Sequence, residues 1–225
     1  MRLAKLFLRG FGQYEERGNY TILYDGEGIL EFGLTEQHII HDGKDASSKG
    51  GCLPEPTTWE TRRPVNFHTQ EGASGGSIEY LVQLANTVGA NPWVCIPHAA
   101  DDNYVRQFAT YLKQHLRPDL KVYVEYSNEV WNGIFRQTQY TGEKGKVMFP
   151  SEPGWKAGMK YFNVRASEVA SIWNQVNNRC GALKRDRLTN VYAWQTGYQD
   201  YYRQALEDLG DRKTNFPGHG HHWLL

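Results

Sequence analysis

Val122-Tyr-Val-Glu-Tyr-Ser-Asn-Glu129 is the stretch on which the fold turns. Val122, Val124 and Tyr126 share one side-chain parity, and Glu125 shares the other with Glu129. The run reads as a buried strand that ends in Asn128-Glu129 and passes directly into Val130 and Trp131. An amide, a carboxyl group and an indole therefore meet just beyond a strand.

Moving outward, Pro92-Trp-Val-Cys-Ile-Pro97 is a second short apolar run, bounded by prolines, and reads as a buried strand ending at His98. Before it, Ile78, Leu81, Val82, Ala85 and Val88 recur at helical spacing from Ser77, and Gly89 is placed to stop the helix. After it, Asp101 or Asp102 can cap a helix whose core face is Tyr104, Val105, Phe108, Ala109 and Leu112. Downstream, Gly133 to Pro153 reads as loop. A long helix follows, with Phe162, Ala166, Val169, Ile172, Trp173 and Val176 on one face. Thr189 to Gln195 reads as a third strand. Tyr201, Tyr202, Ala205, Leu206 and Leu209 make a last helix, stopped by Gly210.

The alternation of helix and strand is that of parallel α/β architecture. Doubly wound sheets and (β/α) barrels share that order. No Gly-rich nucleotide loop follows any of the strands, and Gly10-Phe-Gly12 lacks the rest of the dinucleotide spacing. The strand ends carry His98, Asn128-Glu129 and Gln195, each polar and each directly after an apolar run. Barrels carry their working residues at that end of the strands, which favours a partial TIM (β/α)8-type barrel.

The N-terminal part is read differently. Tyr20 to Phe32 suggests a β-hairpin turning through Asp25-Gly-Glu-Gly28. The expected organisation is a hairpin segment over 1–33, an irregular linker over 34–76, the partial barrel over 77–210 and an irregular tail over 211–225. The opening Met-Arg-Leu-Ala-Lys-Leu-Phe-Leu-Arg is too short and too charged for a secretory leader.

Composition narrows the function classes. In 225 residues, 25 basic and 25 acidic side chains cancel, so no net field favours nucleic acid or an anionic membrane. No apolar run reaches spanning length. Three cysteines, Cys52, Cys95 and Cys180, make neither a disulfide framework nor a zinc pattern. No cofactor or metal is expected; His219-Gly-His221-His222 sits in the tail without recognisable partner ligands. The 14 Tyr, 9 Phe and 7 Trp fit either a large core or stacking platforms for sugar rings.

Glu129 is the candidate catalytic residue. Glycosidases commonly use one carboxyl group as acid and a second as nucleophile or base. The acid must keep its proton near neutral pH, and Trp131 could supply the apolar setting for that. Asn128 is suited to hydrogen-bonding a sugar hydroxyl, and His98 to contacting substrate or to a structural bond with Asp101 or Asp102. Glu125 reads either as an interior network member orienting the site or as an exposed or structurally paired glutamate.

Val122-Tyr-Val-Glu125-Tyr-Ser-Asn128-Glu129-Val-Trp131-Asn132 resembles the fourth-strand motif of clan A glycoside hydrolases, in which an Asn-Glu pair carries the general acid/base. Gly75 to Asn86 and Pro92 to Tyr104 resemble a sparsely characterised group of large barrel proteins, some labelled cellulose- or carbohydrate-binding. Trp59-Glu-Thr-Arg62 and Tyr24-Asp-Gly-Glu-Gly28 fit that group as well. The resemblance spans Ser77 to Leu209. It implies strands three to five of the barrel, a polysaccharide or oligosaccharide partner, and an extracellular setting for a full-length relative. Glu129 would be acid/base, with Asn128, His98, Trp131 and Glu125 on the substrate side. The clan's nucleophile, a strand-seven glutamate, has no counterpart here. Three readings stay open: an active hydrolase completed by a second chain or an unusual carboxylate, a non-catalytic carbohydrate-binding protein, and a truncated or mispredicted chain without independent function; another copy of the chain could cover the open barrel edges.

Overall fold

The computed structural model describes residues 2–7, 19–24, 56–67, 76–178, 187–194 and 197–216. Strands β1 (Arg2–Phe7) and β2 (Asn19–Tyr24) form an antiparallel pair, with Arg2 opposite Tyr24 and Phe7 opposite Asn19. The hairpin expected from the sequence paired this second strand with Ile29–Phe32. Among the described residues β2 pairs with the N-terminal run Arg2–Phe7, which has the length of an ordinary strand. The turn and Ile29–Phe32 lie outside the described residues, as do Gln195 and the histidines of the tail.

The rest is a mixed α/β structure built on a three-stranded parallel sheet. Its elements run α1 (Ile78–Val88), β3 (Trp93–Ile96), α2 (Asp102–His115), β4 (Val122–Tyr126), α3 (Arg136–Met148), α4 (Gly154–Asn178), β5 (Leu188–Val191) and α5 (Gln199–Leu209). The strands lie in sequence order, β3–β4–β5, so β4 is central. Cys95 faces Glu125 in the first ladder, and Glu125 faces Val191 in the second. Beyond β3, Thr57 makes an isolated parallel bridge to Ala100, exchanging bonds with Ala99 O at 2.9 Å and Asp101 N at 3.0 Å. Part of the segment read as irregular thus rests against the C-terminal end of β3.

Local chemistry sets the helix ends as the sequence suggested. Ser77 Oγ accepts from Tyr80 N and caps α1, and Gly89 closes it at φ 71°. Asp101 Oδ1 accepts from Tyr104 N at 2.6 Å and caps α2. Its neighbour Asp102 instead pairs with Arg165 of α4 at 2.7 Å. The guanidinium of Arg187 is buried and donates to the carbonyls of Leu116, Arg117 and Leu120, satisfying backbone acceptors where α2 ends and β4 begins.

Each face of the sheet has its own apolar cluster. Val94, Ile96, Val122, Val124 and Tyr126 pack into the main core with α1, α2 and α4. All six positions read as the apolar stripe of α4, from Phe162 to Val176, are buried in it. The opposite face carries Trp93, Cys95 and Val191, with Tyr123 and Ala193 against them. Glu125 belongs to this second face, as its parity required. Phe216 closes the main core after a 3-10 turn at Gly210–Asn215.

One segment departs from the sequence reading. Most of Gly133–Pro153 is helix, not loop. Gly145, which looked like a loop residue, is where α3 and α4 approach closely. A Cβ added at Gly145 would lie 2.2 Å from the Ala157 carbonyl oxygen, and one at Gly158 would lie 3.3 Å from Gly142. Close contact, not backbone freedom, explains Gly145 on α3 and Gly158 on α4, whereas a Cβ at Gly142 would meet nothing within 4 Å.

Candidate functional site

The C-terminal end of β4 is conformationally unusual. Ser127 and Glu129 both have positive φ, 58° and 44°, although neither is glycine. Each such residue costs on the order of 1 kcal/mol, and such strain gathers where a side chain must be held in a set direction. Several bonds hold the turn. Ser127 N donates to Ile96 O at 2.9 Å, continuing the β3–β4 ladder. The buried Gln137 amide, from α3, donates to Asn128 O at 2.6 Å. Asn132 N donates to Glu129 O at 2.8 Å. The Asn132 side-chain amide also donates to Glu129 Oε2 at 2.9 Å, which fixes the carboxylate. Neither Gln137 nor Asn132 stood out in the sequence as a site residue. An amide so close after Asn128-Glu129 was the available signal for Asn132.

Glu125, Asn128, Glu129 and Trp131 line one cleft together with Trp93 and Trp194. The structure therefore brings two carboxyl groups, an amide and three indoles together at the end of the central strand. The Trp93 indole N–H donates to Glu125 Oε2 at 3.0 Å, and the Cys95 thiol lies 3.9 Å from the same oxygen. Glu125 is thus buried and hydrogen-bonded, not exposed, and lines the cleft with Glu129. Glu129 is half-buried. The cleft is tight: it offers about 20 Å³, room for a single water, which needs roughly 10–15 Å³.

His98 is placed elsewhere. It is buried, its ring stands edge-on to Tyr140 at 4.9 Å, and its carbonyl accepts from Tyr126 OH at 2.8 Å. It lines neither this cleft nor the larger one beside it. Burial pushes the Tyr126 phenol well above its ordinary range, so it stays a neutral donor.

The second cleft is much larger, about 530 Å³, and shares Trp131 and Trp194 with the first. It opens between α3, the start of α4 and the start of α5. Trp194 Nε1 is buried with no acceptor among the described residues. Tyr201, against both Trp155 and Trp194, is pushed up to about 12 by burial. Among the described residues, no group of three or more His, Cys, Asp or Glu side chains could hold a metal ion, and no helix is long and apolar enough to cross a membrane.

Comparison of the chain with protein-family models, curated proteins and solved structures returns no match.

Proposed function

We propose that this chain is a partial (β/α) barrel of glycoside-hydrolase type that takes a polysaccharide or oligosaccharide at the C-terminal end of its sheet. Glu129 is the general acid/base, and Asn128 and Trp131 contact the sugar. The observation that carries this reading is the strained turn at Ser127–Glu129, which puts Asn128 and Glu129 into one cleft with Glu125 and three indoles. Carboxyl groups supply proton transfer at a glycosidic oxygen, an amide binds hydroxyls, and indole faces pack on the apolar faces of pyranoses. Asn132 positions the Glu129 carboxylate. His98, outside both clefts, acts through Tyr126 and Tyr140 as a structural residue.

The test is reducing-end release from a panel of neutral polysaccharides, comparing the wild-type chain with Glu129→Gln. Loss of the acid should lower turnover by about 10²–10⁴-fold. Equal release by both proteins would sink the assignment of Glu129.

A second reading is favoured by one observation. Glu125 is buried and engaged by Trp93, and the cleft around the two carboxyl groups admits only a water. A chain with that geometry binds saccharide without cleaving it. Wild-type binding with no release in the same panel would select this reading.

A further inference from the structure

The larger cleft has a lining of distinct chemistry. None of the thirteen described residues that line it carries a charge. Its volume, about 530 Å³, falls within the roughly 300–1,000 Å³ of ligand pockets. One wall is a row of aromatic rings in edge contact. Trp155 meets Tyr201 at 5.1 Å, Tyr201 meets Trp194 at 5.1 Å, and Tyr198 lies 6.5 Å from Tyr201. Two of these rings are wet: Trp155 is 51% exposed and Tyr198 63%. Large rings held in place by their neighbours give contact area at low entropic cost, as recognition surfaces require. Gln204 adds an amide to the lining, and the Thr138 and Thr141 hydroxyls, which donate to Asn132 O and Thr138 O, leave their oxygens as acceptors; Trp194 contributes a buried indole N–H that has no acceptor among the described residues.

A phosphate or carboxylate is a poor fit to the described lining, since no described residue there would neutralise it. Hydroxyls and amides beside exposed aromatic faces match a neutral ligand with apolar ring faces and many hydroxyls. We infer that this groove is an extended binding site for a neutral saccharide chain, resting on the reading above. Trp131 and Trp194, which wall both clefts, place it directly beside Glu129.

Gly142 gives a test that spares the fold. A Cβ there meets nothing within 4 Å, and the residue both lines the groove and sits inside α3. Gly142→Leu therefore fills the groove while improving helix propensity. The probes are soluble neutral hexasaccharides of glucose, xylose and mannose, titrated against the full chain by calorimetry. Val147→Ser, at a position 83% exposed on α3 and outside both clefts, is the control. We expect Gly142→Leu to abolish binding with an unchanged or higher Tm, Trp155→Ala and Tyr198→Ala each to weaken it at least 10-fold, and Val147→Ser to leave it unchanged. If the wild type binds a hexasaccharide and Gly142→Leu and Trp155→Ala bind it equally well, the groove is not the site, although the saccharide reading stands. If the folded wild type binds none of them, both fall. An apolar fluorophore held in the groove with no saccharide bound overturns the inference as well.

Discussion

The indole N–H of Trp93 donates to Glu125 across the β3–β4 ladder at 3.0 Å, from two residues before Cys95, which directly faces Glu125. A buried carboxyl group is thereby held on the sheet face opposite α1, α2 and α4, in the cleft it lines with Glu129. Leaving such an acceptor short of a donor costs more than the bond itself contributes. Trp93→Phe should destabilise the chain by about 1–3 kcal/mol. In a protein of this size that lowers Tm by roughly 2–4 °C per kcal/mol. A double-mutant cycle with Glu125→Gln checks the assignment, and a coupling energy of zero would count against it.

The α3–α4 contact makes a sharper prediction, because two glycines of one helix should respond in opposite senses. Gly145→Ala forces a Cβ to within 2.2 Å of the Ala157 carbonyl and should cost about 1–3 kcal/mol as the helices move apart. Gly142→Ala meets open space and should gain up to about 1 kcal/mol of helix propensity. Urea unfolding of the two variants side by side decides it.

Asn163 joins three elements. Its amide donates to Ala205 O and Asp208 Oδ2, both at 2.9 Å, and its carbonyl accepts from Tyr192 OH at 2.7 Å. The residue is fully buried on α4, so Asn163→Ala strands the Tyr192 phenol and removes a donor from Ala205 O and Asp208. The expected loss is about 1–3 kcal/mol for each group left unsatisfied. Asn163→Asp should be milder toward Tyr192, since its oxygen still accepts, but it brings a second carboxylate to Asp208.

Alkaline pH reports on the aromatic wall. Burial pushes Tyr201 up to about 12, whereas an unfolded phenol ionises near 10. The unfolded chain then releases this proton first, so stability falls as pH rises. The contribution of Tyr201 is fully present below about pH 10 and is lost on rising through about pH 12. Urea midpoints of wild type and Tyr201→Phe, followed across that window, should converge or cross as the wild type loses more. Parallel curves would show that Tyr201 is not held in its neutral form.

Most of the α/β region was legible because each element carries a strong period and its own punctuation. Gly89 and Asp101 mark helix ends by chemistry that acts within a turn, and Val122, Val124 and Tyr126 mark a strand by parity. The parity of Glu125 also foretold which face it would occupy. What stayed hidden depends on neighbours distant in sequence. α3 looked like loop because it carries glycines, and the reason for Gly145 is its contact with Ala157 of α4, a relation no local window contains. The partner of Glu125 is Trp93, on another strand. His98 had the right position at a strand end, yet its ring packs against Tyr140 of α3, a helix the sequence did not announce. Trp155 and Tyr198 carry no local signal of a shared wall, since α4 and α5 bring them together only in three dimensions.

The most direct measurement of the central claim is a glycan array probed with the full wild-type chain and with Trp131→Ala, after near-UV circular dichroism has shown that both unfold cooperatively. Trp131 walls both clefts, so its loss tests the whole site at once. The account predicts that the wild type retains at least one neutral glycan and that Trp131→Ala holds it at least 10-fold more weakly, a difference of about 1.4 kcal/mol. A folded wild-type chain that retains no glycan, or a variant that retains the same glycans with equal affinity, would contradict it.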